Sequence, residues 1–418
     1  MKVVQLNTST AGGAGVAALR LNRALRAAGI ESDLLVQEKT VQEPHVFGLD
    51  ETFLGKKKSF ARFLGERLAF LPDEKDKSVR FAFSPARVGT DISQHPLLKN
   101  ADVIHLHWTQ FGFLSLRSLQ KIIALNKPIF WTLHDQWAFT GGCHYSRGCV
   151  NFQRHCGLCP FLKTPNENDL SARVFEQKRL LFACLKSTAI TFLSPSAWLG
   201  NMAREAPLTQ KFKTYTVPNP IETAVFSPIN KQEARLKLNL PLDKKLVLFG
   251  SANTSDPRKG FAFFREAINE LAQKRLDLEV VLFGKTSANL DLQMPVHNLG
   301  MLSEAQIKYA YAAADVMVVP SLEDNFPNTI TESMACGTPV VGFETGGIPE
   351  QILHLKDGYV AHLQNVDDLR TGIDWVLGNK EYELICRHGI DKIHALMRNE
   401  VVANTMVALY RTATASQV

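Results

Sequence analysis

No run of about 18 apolar residues free of charge occurs in this sequence, so no membrane-spanning helix is expected. The opening MKVVQLNTSTAGGAG has one Lys and only the short apolar pair Val3-Val4, so no secretory leader is expected. Neither sign of charge dominates. Lys and Arg number 47 against 41 Asp and Glu, a net +6. With no arginine-rich stretch, that balance is weak for a nucleic-acid protein, yet it suits an anionic ligand or an anionic membrane surface. Cysteine is scarce and odd in number, 7 in all, with Cys184, Cys336 and Cys386 in apolar helical contexts. That usage fits a reducing cytosol. Internal repeats are absent. So is GxGxxG: the loop after the first apolar run is Gly12-Gly13-Ala14-Gly15, which disfavours a nicotinamide site.

What is present is ordinary globular composition. Hydrophobic residues at 45% and charged residues at 21% exclude disorder, collagen and coiled coil as whole-chain readings. The 418 residues suffice for two or three domains whose cores need no disulfide or metal. KVVQL (2–6), SDLLV (32–36), DVIHLHW (102–108), PIFWTLHD (128–135) and TAITFLSPS (188–196) read as one series of strands. KLVLFG (245–250), LEVVLFG (278–284), DVMVVPS (315–321) and PVVGF (339–343) read as a second. Amphipathic stretches alternate with both series, which predicts an α/β fold of two doubly wound parallel sheets. The proline-bearing TVPNPIETAVFSPINK (216–231) between them reads as a linker. Ligands of such sheets bind outside the carboxyl ends of the strands. Two such domains facing each other would place the site in a central cleft.

The strand-end residues are therefore the candidates. In PSLEDNFPNTITESMACGTPVVGFETGGIPE (320–350), the acidic loop Glu323-Asp324-Asn325 precedes a helix that opens near Asn328-Thr329 and stops at Gly337. Free N–H groups at a helix start attract an anion. Glu332, about one turn in, suits hydrogen bonds from two vicinal hydroxyls, as of a ribose. An ordinary helix cap with a solvated acidic turn is the other reading of these residues. In FGSANTSDPRKGFAFFREAI (249–268), Arg258 and Lys259 follow the strand-end Gly250. An arginine fork beside a lysine point charge suits a diphosphate, and a solvated basic turn is the alternative.

Four further features stand out. Cys143, Cys149, Cys156 and Cys159 cluster as C-x5-C-x6-C-x2-C on a glycine-rich loop. Four thiolates there can close on a structural zinc, with His144 and His155 as substitutes. A reduced metal-free cluster, disulfides or an iron–sulfur cluster are the alternatives. His105 and His107 share one face of a strand, as a packed pair, metal ligands or contacts to an acceptor. Trp108 and Trp137 suit either sugar stacking or a core. Finally, FLGKKKSFARFLGERLAFLP (53–72) sets Phe60, Phe63, Leu64, Leu68 and Leu71 at helical spacing beside Lys56, Lys57, Lys58, Arg62 and Arg67. It reads as a basic amphipathic helix for an anionic membrane, or as a surface helix packing its stripe on the core.

Taken in order along the chain, PSLEDNFPNTITESMACGTPVV, TLHDQWAFTGGCHYSRGC and VPNPIETAVFSP resemble the retaining GT-B glycosyltransferases of family 4. The middle segment is similar to the subgroup that builds bacterial exopolysaccharide, colanic acid and O-antigen chains. The resemblance covers nearly the whole chain. It implies the GT-B fold: an N-terminal Rossmann-like acceptor domain (1–217), a linker (218–231) and a C-terminal donor domain (232–397), with a final helix about 398–414 packing back on the first domain. It implies sugar transfer from a nucleotide-diphosphate sugar to a saccharide acceptor, lipid-linked in surface polysaccharide synthesis, with retention and without a catalytic metal. A cytoplasmic site of action follows, peripheral on the inner face of the plasma membrane through 53–72.

Residue by residue, the resemblance puts Asp324 and Glu332 at the two acidic positions. The first is usually Glu, so Asp324 is a departure, and Glu323 stands one residue out of register. Glu332 matches the ribose-binding acid, Lys259 the diphosphate lysine beside Arg258, and His134 the strand-end histidine near the reacting sugar. Gly12 and Gly13 match the glycine loop. Gly250, Gly284, Asn328 and Thr329 complete the donor side, and His107, Trp108 and Asp135 the acceptor side. Two rivals stay open: a GT-B sugar-nucleotide epimerase or hydrolase, and a zinc-stabilised nucleic-acid-binding protein.

Overall fold

The run KVVQL extends into strand β1 (Lys2–Ser9) of the computed structural model, which describes residues 1–286 and 290–415. Side chains alternate along it. Val4 and Leu6 enter one core beside Ile104, Leu106 and Trp131, while Val3 faces the other with Leu21, Leu25 and Phe130. Gln5, fully buried, lies on the Val3 side of this otherwise apolar strand. The remaining strands of this sheet are β2 (Glu31–Glu38), β3 (Val46–Gly48), β4 (Val103–Leu106), β5 (Ile129–Thr132), β6 (Ile190–Ser194) and β7 (Lys213–Thr216). Their order is β3-β2-β1-β4-β5-β6-β7, and every neighbouring pair is parallel.

The second sheet holds β8 (Lys245–Asn253), β9 (Leu278–Lys285), β10 (Val296–Asn298), β11 (Val316–Val319), β12 (Val340–Phe343) and β13 (Gly358–Ala361). Its order is β10-β9-β8-β11-β12-β13, again parallel throughout. The sequence pattern did not mark β3, β7, β10 or β13. All four are outer strands of three or four residues, and β7 is mostly exposed, so they lack the continuous apolar signature of a buried parallel strand. Two compact units result: Met1–Pro218 joined by the chain from Val402 onward, and Asn219–Val401. The C-terminal helix Asn399–Ala415 sends Val402, Met406, Val407 and Tyr410 into the core around Val3 and Phe130.

Helix Phe53–Phe70 leaves most of its apolar stripe outward, with Phe63 alone half-buried against Phe111, which corrects the reading of a stripe packed on the core. Phe53 is 74% exposed, Phe60 65%, Leu64 44% and Leu68 55%, and Leu71 just beyond is half exposed. The cause is Glu66, buried on the opposite face. Its carboxylate accepts from Ser84 Oγ (2.8 Å) and from the backbone N–H groups of Ala86 (2.6 Å), Arg87 (3.0 Å) and Val88 (2.9 Å). Four donors on one carboxylate fix the helix's rotation. Among the described residues, no helix is long and apolar enough to cross a membrane.

Candidate functional site

In the second unit, β8 and β11 are neighbours, so their carboxyl ends adjoin. The Arg258-Lys259 turn leaves β8 and presses on the chain leaving β11. Leu322 N–H donates to Arg258 O (2.8 Å), and Gly260 sits at φ +70°, where a Cβ would lie 1.8 Å from Pro320 O. Only glycine fits that approach. Lys259 Nζ meets Asp324 Oδ2 at 2.5 Å. Arg258 Nη1 donates to the same oxygen (3.2 Å) and to Glu323 O (3.0 Å). Burial pushes the Asp324 carboxyl up, but Lys259 and Arg258 together hold it below its usual value. Of the two candidate acids, Asp324 turns its side chain to both cations, and Glu323 offers its backbone carbonyl. Gly347 N–H also donates to Asp324 O (3.1 Å), fixing the loop from β12's side.

Glu332 lies in helix Asn328–Ala335, buried, and accepts a hydrogen bond from Tyr311 Oη at 2.7 Å. Tyr311 comes from helix Glu304–Ala313 and was not singled out in the sequence. The only signal was a tyrosine among the alanines of KYAYAAAD, where a buried hydroxyl needs a partner. Asn328 opens its helix and takes a hydrogen bond from Asn219 Nδ2 (3.2 Å), with Thr329 next to it. Gly250 lies within β8. Gly284, near the end of β9 at φ +103°, leaves room for Ser251 O, 1.7 Å from where its Cβ would be.

In the first unit, β1, β4 and β5 are adjacent, and their carboxyl ends gather Gly12, His107, Trp108, His134 and Asp135 on one edge. Gly12 and Gly13 are exposed and begin helix Gly12–Ala27. Behind them runs a buried chain of hydrogen bonds. Asn22 Nδ2 donates to His45 O (3.3 Å). Gln5 Nε2 donates to Asn22 Oδ1 (3.3 Å) and Ser32 Oγ (3.0 Å). Gln5 Oε1 lies 2.9 Å from His107 Nε2, and His107 Nδ1 lies 3.1 Å from His134 Nε2.

A backbone carbonyl only accepts, so each orientation along this chain is determined. His107 carries its proton on Nε2 and accepts at Nδ1. His134 therefore donates from Nε2 and keeps Nδ1 as an acceptor. Burial lowers His134 to about 4 against the opposing pull of Asp135, and it drives His107 well below 6.5, so both rings are neutral. His105 stacks on His107 at 4.3 Å and is bonded to Tyr410 Oη (2.6 Å) and Thr132 Oγ1 (2.7 Å), a packed core residue. The sequence had not pointed to Gln5. A lone amide in a buried apolar strand was the available signal.

Asp135 is buried and fully engaged. It accepts from Trp108 Nε1 (2.7 Å) and Trp137 N–H (2.8 Å), and His144 Nδ1 lies 2.6 Å away. Burial raises its pKa, but the His144 charge and these hydrogen bonds hold it below the ordinary carboxylate value. Asp135 thus orients the partly exposed Trp108, while Trp137 is core.

The expectation of a structural zinc is corrected. Cys143, Cys149, Cys156 and Cys159 line one small cavity with Phe83, Phe152 and Phe161, and every cysteine is a free thiol. Among the described residues, no group of three or more His, Cys, Asp or Glu is placed to hold a metal ion. The packing explains this. Cys143 and Cys159 join an apolar cluster with Phe70, Phe83 and Leu170. Burial pushes the Cys156 thiol up to about 12 and Cys159 to about 11. His144, the nearby substitute ligand, turns its Nδ1 to Asp135.

Comparison with known proteins agrees with this architecture. A putative colanic acid biosynthesis glycosyl transferase, WcaC, of Escherichia coli strain K12 is 24% identical over 253 residues, covering 57% of this chain and 59% of that relative. Sucrose-phosphate synthase from Thermosynechococcus elongatus superposes with a TM-score of 0.69 at 19% identity, covering 100% of both chains. HepE of Anabaena, solved in complex with UDP and glucose, gives 0.64 at 16% identity, covering 98% of this chain and 99% of that one. Both units carry the fold of these GT-B proteins. The family model for glycosyl transferases group 1 matches residues 243–379. The model for Glycosyltransferase Family 4 matches residues 11–225, more than half of the chain, and to that family the chain belongs.

Proposed function

We propose that this protein moves a sugar from a nucleoside-diphosphate sugar to a saccharide acceptor, with retention at the anomeric carbon. The residues 232–397 take the donor and 1–217 the acceptor, joined by the linker 218–231. The observation that carries this reading is the pairing of Lys259 and Arg258 around Asp324, beside the helix that presents Glu332. Two cations at a sheet mouth neutralise a diphosphate leaving group as the glycosidic bond breaks, and that charge develops most in the transition state. Glu332, held by Tyr311, receives the ribose hydroxyls. Asp324 contacts the donor sugar and pairs with both cations until the diphosphate takes its place. His134 offers Nδ1 to a sugar hydroxyl, and Trp108 gives a face on which a sugar ring can stack.

The acceptor in this reading is lipid-linked, in surface polysaccharide synthesis, and the protein works at the cytoplasmic face of the membrane; the relative WcaC is described as a putative colanic acid biosynthesis glycosyl transferase. Support comes from the outward stripe Phe53, Phe60, Leu64 and Leu68 beside Lys56, Lys57 and Lys58. Apolar insertion with anionic attraction is the pattern of an interfacial helix.

The test of the donor site is a thermal-shift panel of UDP, GDP, ADP, dTDP and CMP on wild type and Glu332→Ala. A ligand at about a hundred times its Kd adds ~2.7 kcal/mol of stability. A shift with one diphosphate, lost in the variant, supports the site and names the base. No shift with any of them removes the donor-site assignment.

A further inference from the structure

His144 lies nine residues beyond Asp135, and its ring returns to it, with Nδ1 2.6 Å from Asp135 Oδ2. The same oxygen accepts from Trp108 Nε1 at 2.7 Å, so one carboxylate oxygen joins the two rings. The rings also pack on each other. Their centroids are 5.3 Å apart, and Phe111 lies 5.5 Å from His144 and 5.4 Å from Trp108. Of these four side chains only Trp108 is partly exposed; Asp135, His144 and Phe111 are buried. The backbone at His144 is pinned in both directions. Its N–H donates to Ala82 O (2.9 Å), and its carbonyl accepts from Gln136 N–H (2.8 Å). Cys143, just before it, forms an antiparallel bridge with Phe83. Lys178, buried in helix Leu170–Ala183, donates to Trp137 O and to Thr140 O (3.0 Å), which fastens the turn between them. The loop is therefore held so that one ring meets Asp135.

The chemistry of that meeting follows from the acid. Asp135 is held ionised and only accepts, so His144 Nδ1 carries a proton whether the ring is neutral or charged. Nε2 of the same ring is buried and has no hydrogen-bond partner. A bare buried nitrogen costs stability, so a histidine is a poor choice here for packing alone, and its use lies at Nδ1. The other carboxylate oxygen, Oδ1, is held by Trp137 N–H. Without the Nδ1 donor, Oδ2 keeps Trp108 as its partner and loses the bond that fixes its direction. The carboxylate can then turn, and the indole with it. We propose that His144 is the positioning residue for Trp108: by donating Nδ1–H to Asp135 it fixes the carboxylate that fixes the indole, and the indole is the platform for the acceptor saccharide. The inference rests on the acceptor reading of Trp108 given above. His144 does not itself touch the acceptor; it acts through Asp135.

The experiment follows the Trp108 indole N–H of the full chain by nitrogen-15 NMR, with Trp108→Phe assigning the peak. The probes are the methyl α-glycosides of glucose, galactose, mannose and fucose, titrated at one fixed pH. Two substitutions separate hydrogen bonding from the mere presence of a polar group. His144→Asn places an amide N–H near the Nδ1 position. His144→Gln places it near Nε2 and leaves Asp135 without that donor. The glycoside that binds wild type most tightly should bind His144→Gln about tenfold more weakly, the scale of one lost hydrogen bond to a charged group, and His144→Asn within about threefold of wild type. Before any sugar is added, the Trp108 peak should be displaced in His144→Gln and close to its wild-type position in His144→Asn. The nucleoside diphosphate that stabilises wild type should stabilise both variants equally, since it binds the other unit. Equal weakening by the two substitutions, or wild-type binding by both, overturns the role of Nδ1. If no glycoside moves the Trp108 peak in wild type, the acceptor reading of Trp108 falls, and the sugar-free peak positions still decide whether His144 holds the indole. Should His144→Gln fail to fold, His144→Phe, which keeps a ring and loses the donor, takes its place with the same outcomes.

Discussion

His134 Nε2 stands 3.1 Å from His107 Nδ1, and the chain behind that contact leaves one proton arrangement. It is anchored on the His45 carbonyl and passes through Asn22, Gln5 and His107. The consequence at the sheet edge is a neutral His134 whose Nδ1 accepts. It is therefore suited to a hydroxyl donor and unsuited to an anion. Nitrogen-15 NMR of the imidazoles reads this directly: His107 and His134 should both show the Nε2–H tautomer at pH 7. His107→Asn, whose Oδ1 can replace Nδ1, should retain most activity. His107→Leu should lower kcat more than it raises the donor KM. A charged or Nδ1-protonated His134 at pH 7 would break the chain at its last link.

His107 and His134, together with His105 stacked on His107, set an acid limit on stability. Unfolded, they titrate near 6.5. Burial holds His105 to about 3 and His134 to about 4, and keeps His107 well below 6.5. Between pH 6.5 and 4 the unfolded chain therefore takes up protons that the folded chain refuses. Their stabilisation is complete above 6.5 and declines as pH falls toward the folded values. Calorimetry should show Tm dropping across that window, with a shallower slope in His134→Gln. A Tm flat from 6.5 to 4 would mean these rings are not held neutral.

Much of this was legible in the residues, for a physical reason. Strands buried on both faces are β-branched and continuous, so the central strands of both sheets could be found. The edge strands β3, β7, β10 and β13 are only three or four residues long and could not. Arg258, Lys259, Asp324 and His134 are charged or titratable groups at strand ends, where sheet topology already directs attention. Gln5 reaches His134 through His107, and Tyr311 holds Glu332, both from buried positions distant in sequence, and such pairings exist only once the chain is folded. Cys143 to Cys159 show the opposite failure. Their spacing advertised a metal, but spacing carries no information on the geometry the folded loop gives the thiols, and among the described residues no group of three or more is placed to hold an ion.

At the second sheet, Lys259 and Asp324 predict opposite effects on the product nucleotide. Lys259→Ala removes a cation from the diphosphate and should lower kcat by about 10²–10³. It should also weaken nucleoside-diphosphate binding. Asp324→Asn removes the charge that both cations share, which frees them for the diphosphate. That variant should bind the nucleoside diphosphate more tightly while losing turnover. Titration calorimetry with the diphosphate alone separates the two. Weaker binding in Asp324→Asn would show that the acid helps to hold the anion site open.

Tyr311 tests whether Glu332 must be oriented. Tyr311→Phe removes one hydrogen bond to a carboxylate, worth about 1.5–3 kcal/mol, without opening a cavity. The donor KM should rise with kcat little changed, because the proposed ribose contact would be made in ground and transition state alike. Glu332→Gln should raise KM further, and the double variant should be no worse than Glu332→Gln. Additive effects would mean Tyr311 acts on the donor by some route other than Glu332.

The helix Phe53–Phe70 gives a prediction in which stability and membrane binding part company. Phe60 and Leu64 are 65% and 44% exposed, and the helix is oriented by Glu66 on its far side. Phe60→Ser/Leu64→Ser should therefore change stability in solution by no more than about 1 kcal/mol, as exposed substitutions do. The same pair should lose most of its binding to anionic vesicles, since the inserted apolar area is gone. A stripe packed on the core would behave in the reverse way, with each buried large-to-small change costing at least about 2 kcal/mol. Chemical denaturation and vesicle sedimentation of one double variant decide between them. If Tm collapses while vesicle binding per folded molecule is unchanged, the helix serves the fold and the membrane reading falls.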